Sequence, residues 1–214
     1  MKLGGALLNA GKQAIASYSD YEQLVGGVET LFKDSSGIVE NYANNAYKTA
    51  GLSANEYMDT VTSFSASLLQ SLNGDTAKSA EVADKAITDM SDNANKMGTS
   101  MESIQNAYQG FAKQNYTMLD NLKLGYGGTK SEMERLIGDA NKLANAQGQA
   151  GNLTIESYAD VVEAIHLVQD NMGITGTTAK EASTTIQGSI GAMKSAWSNL
   201  LTGMADENAN FDTL

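Results

Sequence analysis

Few residues in this chain could do chemistry, and their spacing decides what kind. The single histidine, His166, stands among Ile165, Leu167 and Val168. A lone imidazole in an apolar run is expected as a packed or half-exposed helix residue, and it cannot supply the two ligands of a HExxH zinc site. Cysteine is absent, which excludes thiol nucleophiles, disulfides and cysteine-ligated metals. A Ser-His-Asp arrangement would rest on His166 alone, with no nucleophile-elbow sequence beside any serine. Paired carboxylates are the remaining route to hydrolysis. Glu132 with Glu134, Asp89 with Asp92, and Asp206 with Glu207 are the candidates. The first pair includes a helix-capping glutamate, the second is expected on the exposed side of a helix, and the third lies in a polar end. None is therefore expected to carry the raised pKa of a general acid. The segment 89–96 also lacks the glycine and terminal glutamate of an EF-hand loop. No catalytic, cofactor-binding or metal-binding residue is nominated, and no enzymatic activity is expected.

The run 125–131 (GYGGTKS) invites comparison with a phosphate cradle, but the spacing fails. A nucleotide P-loop needs glycine, four residues, then Gly-Lys-Ser/Thr directly after a buried strand; here Thr129 separates glycine from Lys130, and the preceding segment reads as helix. Glycines supplying a tight turn are the better account. The aromatic residues Tyr18, Tyr21, Tyr42, Tyr47, Tyr57, Tyr108 and Phe111 could form a stacking platform for single strands. They fall at helical spacing without interleaved basic residues, so helix packing is preferred. A net charge of -11 with one arginine, Arg135, and no cluster of lysines argues against nucleic-acid binding, which needs concentrated cationic charge to neutralise phosphates. The acidic residues are spread thinly and read as solvated helix faces.

The elements that must position these residues follow from turns and caps. Among the 214 residues proline is absent, so only glycine and side-chain caps can stop a helix. Five S/T-x-x-E capping boxes begin at Ser19, Ser53, Thr99, Thr129 and Thr178, at unequal intervals that argue against a fixed-period solenoid. From Ser19, Tyr21, Leu24, Val25, Val28, Leu31 and Phe32 share one face; Gly26 and Gly27 inside that helix point to close approach of a neighbour or to a kink. Gly51 should end the next helix. Tyr57, Val61, Phe64, Leu68 and Leu72 then give the clearest helical period in the chain, stopped by Asn73 and Gly74. Asp75 or Thr76 caps a helix whose seam of Ala83, Ile87, Met90, Ala94 and Met97 is narrow, so it must be packed by its neighbours or by another copy of the protein.

The segment 111–139 holds a folded-back elbow in which Tyr116, Met118, Leu119, Leu122, Leu124 and Tyr126 crowd around Gly125, Gly127 and Gly128. Beyond it, Met133, Leu136, Ile137 and Ala140 share a face. Residues 148–154 lack periodicity and are the best candidate for a hinge. Tyr158, Val161, Val162, Ile165, Val168 and Met172 rebuild an apolar face, and Ala182, Ile186, Ile190, Met193, Trp197 and Leu200 line the last helix. No stretch alternates with period two, so strand should be nearly absent. No stretch reaches the roughly 20 apolar residues of a membrane span, and 1–16 lacks a convincing signal-peptide cleavage site.

The expected fold class is all-α, a multi-helix bundle or string of antiparallel helices joined by glycine turns. The expected layout is a lead-in or helix at 1–18, a helical core region at 19–147, a hinge or loop at 148–154, a helical hairpin at 155–203 and a frayed tail at 204–214.

Five blocks taken together carry a resemblance: 21–33 (YEQLVGGVETLFK), 50–55 (AGLSAN), 64–68 (FSASL), 92–98 (DNANKMG) and 107–129 (AYQGFAKQNYTMLDNLKLGYGGT). In this order the chain resembles the tail tape measure proteins of long-tailed bacteriophages and prophages, from about Tyr18 to about Trp197. In that family the similar region lies towards the N-terminal side of a much longer protein, so this chain looks like a fragment or a shortened copy; the long helical ruler and the membrane-active segments are not present in it. The resemblance implies a structural role, with the chain inside the tail tube setting its length and leaving ahead of the DNA. It implies partners that include other copies of the chain, the tail tube protein, tail assembly chaperones and baseplate or tail-tip proteins. It also implies a location in the virion, in the tail lumen, and in the host bacterial cytoplasm during assembly. The alternative is a soluble helical interaction module of prophage origin, such as an adaptor or effector, without a length-measuring role.

Overall fold

The computed structural model describes the backbone of residues 2–184 and 186–205, and the side chains of 13–183 and 191–204. The pair Asp206 and Glu207, the tail beyond Ala205, and the side chains of Ile186 and Ile190 lie outside the described residues. Within them the chain is all-helical, with no strand.

The first helix, α1 (Lys2–Phe32), runs unbroken through Ser19. The expected start at Ser19 is thus corrected, and with it the separation of 1–18 from the following helix. A S-x-x-E sequence caps only where the backbone leaves the helix, and between Lys12 and Val25 there is neither glycine nor proline to make it do so. Gly26 and Gly27 are absorbed as well. A Cβ on Gly27 would meet the Thr62 methyl at 3.6 Å, an ordinary contact, and one on Gly26 would meet nothing, so no neighbouring helix requires glycine at either position.

Lys33, with φ 49°, turns the chain through a short 3-10 segment, Lys33–Ser35, into α2 (Ser36–Thr49). Gly51 then takes a left-handed φ of 67°, as expected of a helix-ending glycine. The helix α3 (Ala54–Ser71) starts at Ser53 with both halves of the capping box present: the Glu56 amide donates to the serine hydroxyl, and the Ser53 amide donates to the Glu56 carboxylate at 2.8 Å. Asn73 and Gly74, at φ 54° and 80°, reverse the chain into α4 (Thr76–Met97), which Asp75 caps by accepting from the Lys78 amide at 2.9 Å.

After Gly98 comes α5 (Met101–Phe111), and its cap is Ser100, not Thr99. The Thr99 hydroxyl is committed elsewhere, donating to the Asn121 carbonyl at 2.9 Å. The elbow folds back over a 3-10 turn, Leu119–Leu122, with Tyr116, Leu119, Leu122 and Leu124 buried and Met118 left exposed. Gly128 is required there, because a Cβ would lie 2.2 Å from the Thr117 carbonyl oxygen.

The next helix is α6 (Lys130–Ala146). Residues 148–154 form a loop tied back onto it: Asn141 accepts from the Leu153 amide at 2.8 Å and donates to its carbonyl at 3.0 Å, while Asn145 accepts from the Gly151 amide. Then follow α7 (Tyr158–Asn171), α8 (Thr177–Thr184) and α9 (Ile186–Ala205).

One contiguous apolar cluster extends from Val28 to Ile174. Tyr57, Tyr108 and Phe111 are wholly inside it, where each such side chain contributes roughly 1.5–3 kcal/mol of burial. The Tyr158 hydroxyl donates to the Tyr108 carbonyl, and the Tyr57 hydroxyl donates to Asp84 at 2.9 Å, whereas the Tyr108 hydroxyl is buried without a hydrogen-bond partner among the described residues. At the centre lies α4, in contact with α2, α3, α5, α7 and α8. The expected narrow seam is corrected here. From Ser79 to Asn93 this helix is buried on nearly every side, polar residues included.

Candidate functional site

Polar groups converge where α4 meets α7. The two helices run parallel, so 85, 89 and 93 on one face 163, 166 and 169 on the other. Lys85 bonds Glu163 at 2.6 Å, each about a third exposed. One turn on, His166 Nδ1 lies 3.0 Å from both carboxyl oxygens of Asp89. Deepest, the Asn93 amide donates to Gln169 Oε1 at 2.7 Å and to the Leu122 carbonyl at 3.0 Å. Polarity is thus arranged as three rungs, from half-exposed to fully buried.

Asp89 and Asp92 are 1% and 0% exposed. The expectation that this pair sits on a solvent-facing side is overturned, as is the expectation that no carboxyl here has a raised pKa. Burial pushes the Asp89 carboxyl upward, with His166 opposing in part. His166 is raised in turn, chiefly by its hydrogen bond to Asp89, against the effect of its own burial. The pair therefore holds its proton to higher pH than a free imidazole would. Asp92 turns away from this seam: it accepts from the Gly176 amide at 2.6 Å and the Thr178 amide at 2.8 Å, capping α8 from another helix. Thr178 is accordingly inside α8 rather than at its cap.

An acid-base pair needs a nucleophile or a substrate-sized opening beside it. Asp89 is the hydrogen-bonding partner of the His166 ring among the described residues. Three surface clefts, one between α1 and α3 beside Asp20, Glu56 and Asp59, one beside Ser71 and Gln114, and one beside Gly51, Ser91 and Thr178, are lined by neither Asp89 nor His166. The geometry suits a clasp between helices: a buried carboxyl held against an imidazole at 3.0 Å.

Of the pair Glu132 and Glu134, the first is half-buried and the second exposed. The Glu132 carboxylate accepts from the Gly127 amide at 3.0 Å and from Arg135 at 2.6 Å, which holds its pKa below the ordinary range, Arg135 contributing most. Glu134 lies 3.9 Å from Lys130. Arg135 also donates to the Gly125 carbonyl at 2.8 Å and lies over the Tyr126 ring at 4.2 Å, latching the elbow to α6. The loop amide that would bind a phosphate is already bonded to a carboxylate, so the turn reading of 125–131 stands. Thr129 caps α6, but its glutamate reaches past it to Gly127. Among the described residues no group of three or more His, Asp or Glu could hold a metal, and no helix is long and apolar enough to cross a membrane.

Sequence reasoning missed Asn93, Gln169, Asn141, Asn199 and the capping role of Asp92. A signal existed for the first two. Polar residues recur in α4 at every fourth position (85, 89 and 93) and in α7 at every third (163, 166 and 169), so each set forms a stripe along one helix face.

These features define a class: an all-helical bundle pinned internally by side-chain hydrogen bonds between helices. No protein-family model, no curated protein and no solved structure matches the chain.

Proposed function

We propose that the chain is part of a phage tail tape measure protein, a structural component that sets tail tube length and takes part in tail assembly and DNA delivery. The observation that carries this reading is the ordered set of five sequence blocks between about Tyr18 and about Trp197. The acidic balance of the chain suits a lumen through which DNA must later pass. On this reading the chain performs no reaction. It works by contacts with other copies, the tail tube protein, assembly chaperones and the baseplate or tail tip, first in the bacterial cytoplasm and then in the tail lumen. Disruption of its gene in a phage-producing host tests the proposal. Loss of tails of uniform length in electron micrographs is the expected result, and normal tails would overturn it.

One observation favours a second reading, a helical interaction module of prophage origin without a length-measuring role. The apolar residues from Val28 to Ile174 form a single packed cluster, as in a self-contained bundle rather than an extended rod. Normal tail length after gene disruption, together with capture of the purified chain by a protein that is not a tail component, would select this reading.

A further inference from the structure

The last described helix, α9, faces the wrong way for a helix packed on a lone globular body. Its inward stripe is polar. Ser195 donates to the Gly51 carbonyl, Asn199 accepts from the Ala54 amide, and the Thr202 hydroxyl bonds that of Ser17. Its outward stripe is apolar: Met193, Trp197 and Met204 are 64%, 58% and 55% exposed, with Leu200 half-buried between them. Spacings of four, three and four are those of a coiled-coil seam. A narrow seam of this kind fits another helix better than a lipid surface, which would be met by a wider apolar face.

We infer that this seam is the docking surface for α9 of a second copy of the chain, running antiparallel. The seam reads the same spacing in both directions. Antiparallel pairing sets Met193 against the partner's Met204, and Trp197 against the partner's Leu200. Charge agrees. The chain carries -11 overall, yet Lys194 is the one charged residue in α9, so two copies can meet here without opposing carboxylates. Antiparallel pairing places each Lys194 across from the partner's Gly203; a parallel pair would oppose lysine to lysine. The inference stands on α9 and does not depend on the tail reading.

The sequence offers clean probes, since it has one tryptophan and no cysteine. Sedimentation of the full chain should show a dimer growing with concentration, accompanied by a blue shift of Trp197 emission. Met193→Glu combined with Met204→Glu should abolish both while leaving the far-ultraviolet circular dichroism unchanged. Should that pair fail to fold, Met193→Gln with Met204→Gln takes its place. Under mild oxidation Met193→Cys with Met204→Cys should give a covalent dimer, and Met193→Cys alone should not. A chain that stays monomeric at every concentration overturns the inference. So does cross-linking by Met193→Cys alone, dimerisation unaffected by the Glu or Gln variants, or a Trp197 shift that appears only on adding phosphatidylcholine and phosphatidylglycerol vesicles.

Discussion

The carboxyl of Asp92, in the middle of α4, accepts the backbone amide of Thr178 at 2.8 Å, although 86 residues separate them. Gly176 donates to the same side chain at 2.6 Å. One buried residue therefore starts a helix to which it does not belong. Asp92→Ala should cost about 2–3 kcal/mol, since it leaves two amides without their acceptor, and Asp92→Asn should cost less. Urea unfolding measures the loss, and hydrogen exchange should quicken first at Gly176 and Thr178. Unchanged stability in the alanine variant would show that the cap contributes nothing.

The Asp89 and His166 pair gives stability a pH dependence with a definite sign. His166 titrates above its ordinary value of 6.5 in the folded chain, so its contribution is complete below that value and is lost as pH rises through the folded-state pKa. Asp89, raised above 3.8 by burial, changes in the same sense over a lower range. Unfolding free energy should therefore fall as pH is increased above about 6.5, the unperturbed imidazole value, and His166→Gln should flatten that fall. In nuclear magnetic resonance titrations the imidazole midpoint should lie above 6.5 in the parent chain and move down in Asp89→Asn. A midpoint indifferent to Asp89 would break the argument.

Three glycines should respond in opposite directions. A methyl group on Gly128 would stand 2.2 Å from the Thr117 carbonyl oxygen, and one on Gly151 would stand 2.3 Å from that of Asn141. Alanine at either site should destabilise by about 1–3 kcal/mol through forced backbone movement. Gly26→Ala meets open space inside α1 and should stabilise by about 1 kcal/mol. Thermal melts of the three variants decide it.

Two serines with the same local motif should also differ. Ser53→Ala removes a working cap and should cost about 1 kcal/mol. Ser19→Ala, in mid-helix and exposed, should be neutral or slightly stabilising. Equal losses would mean that α1 is interrupted at Ser19.

The sequence by itself determined that this is an all-helical chain and where several helices stop. Gly51, Asn73, Gly74 and Gly98 reverse the backbone through left-handed conformations, and Ser53 with Glu56 starts a helix whatever packs against it, because those preferences act over three or four residues. Tertiary structure decided the rest. Asp89 and Asp92 have the composition of a solvent-facing stripe, and only His166, Gly176 and Thr178, 77 to 86 residues away, make their burial tolerable. Ser19 carries a start signal that an uninterrupted helix leaves unused, and α9 turns serine, asparagine and threonine inward because Gly51, Ala54 and Ser17 offer partners there. Desolvation and hydrogen bonding are set by whatever the fold brings alongside, which local spacing does not encode.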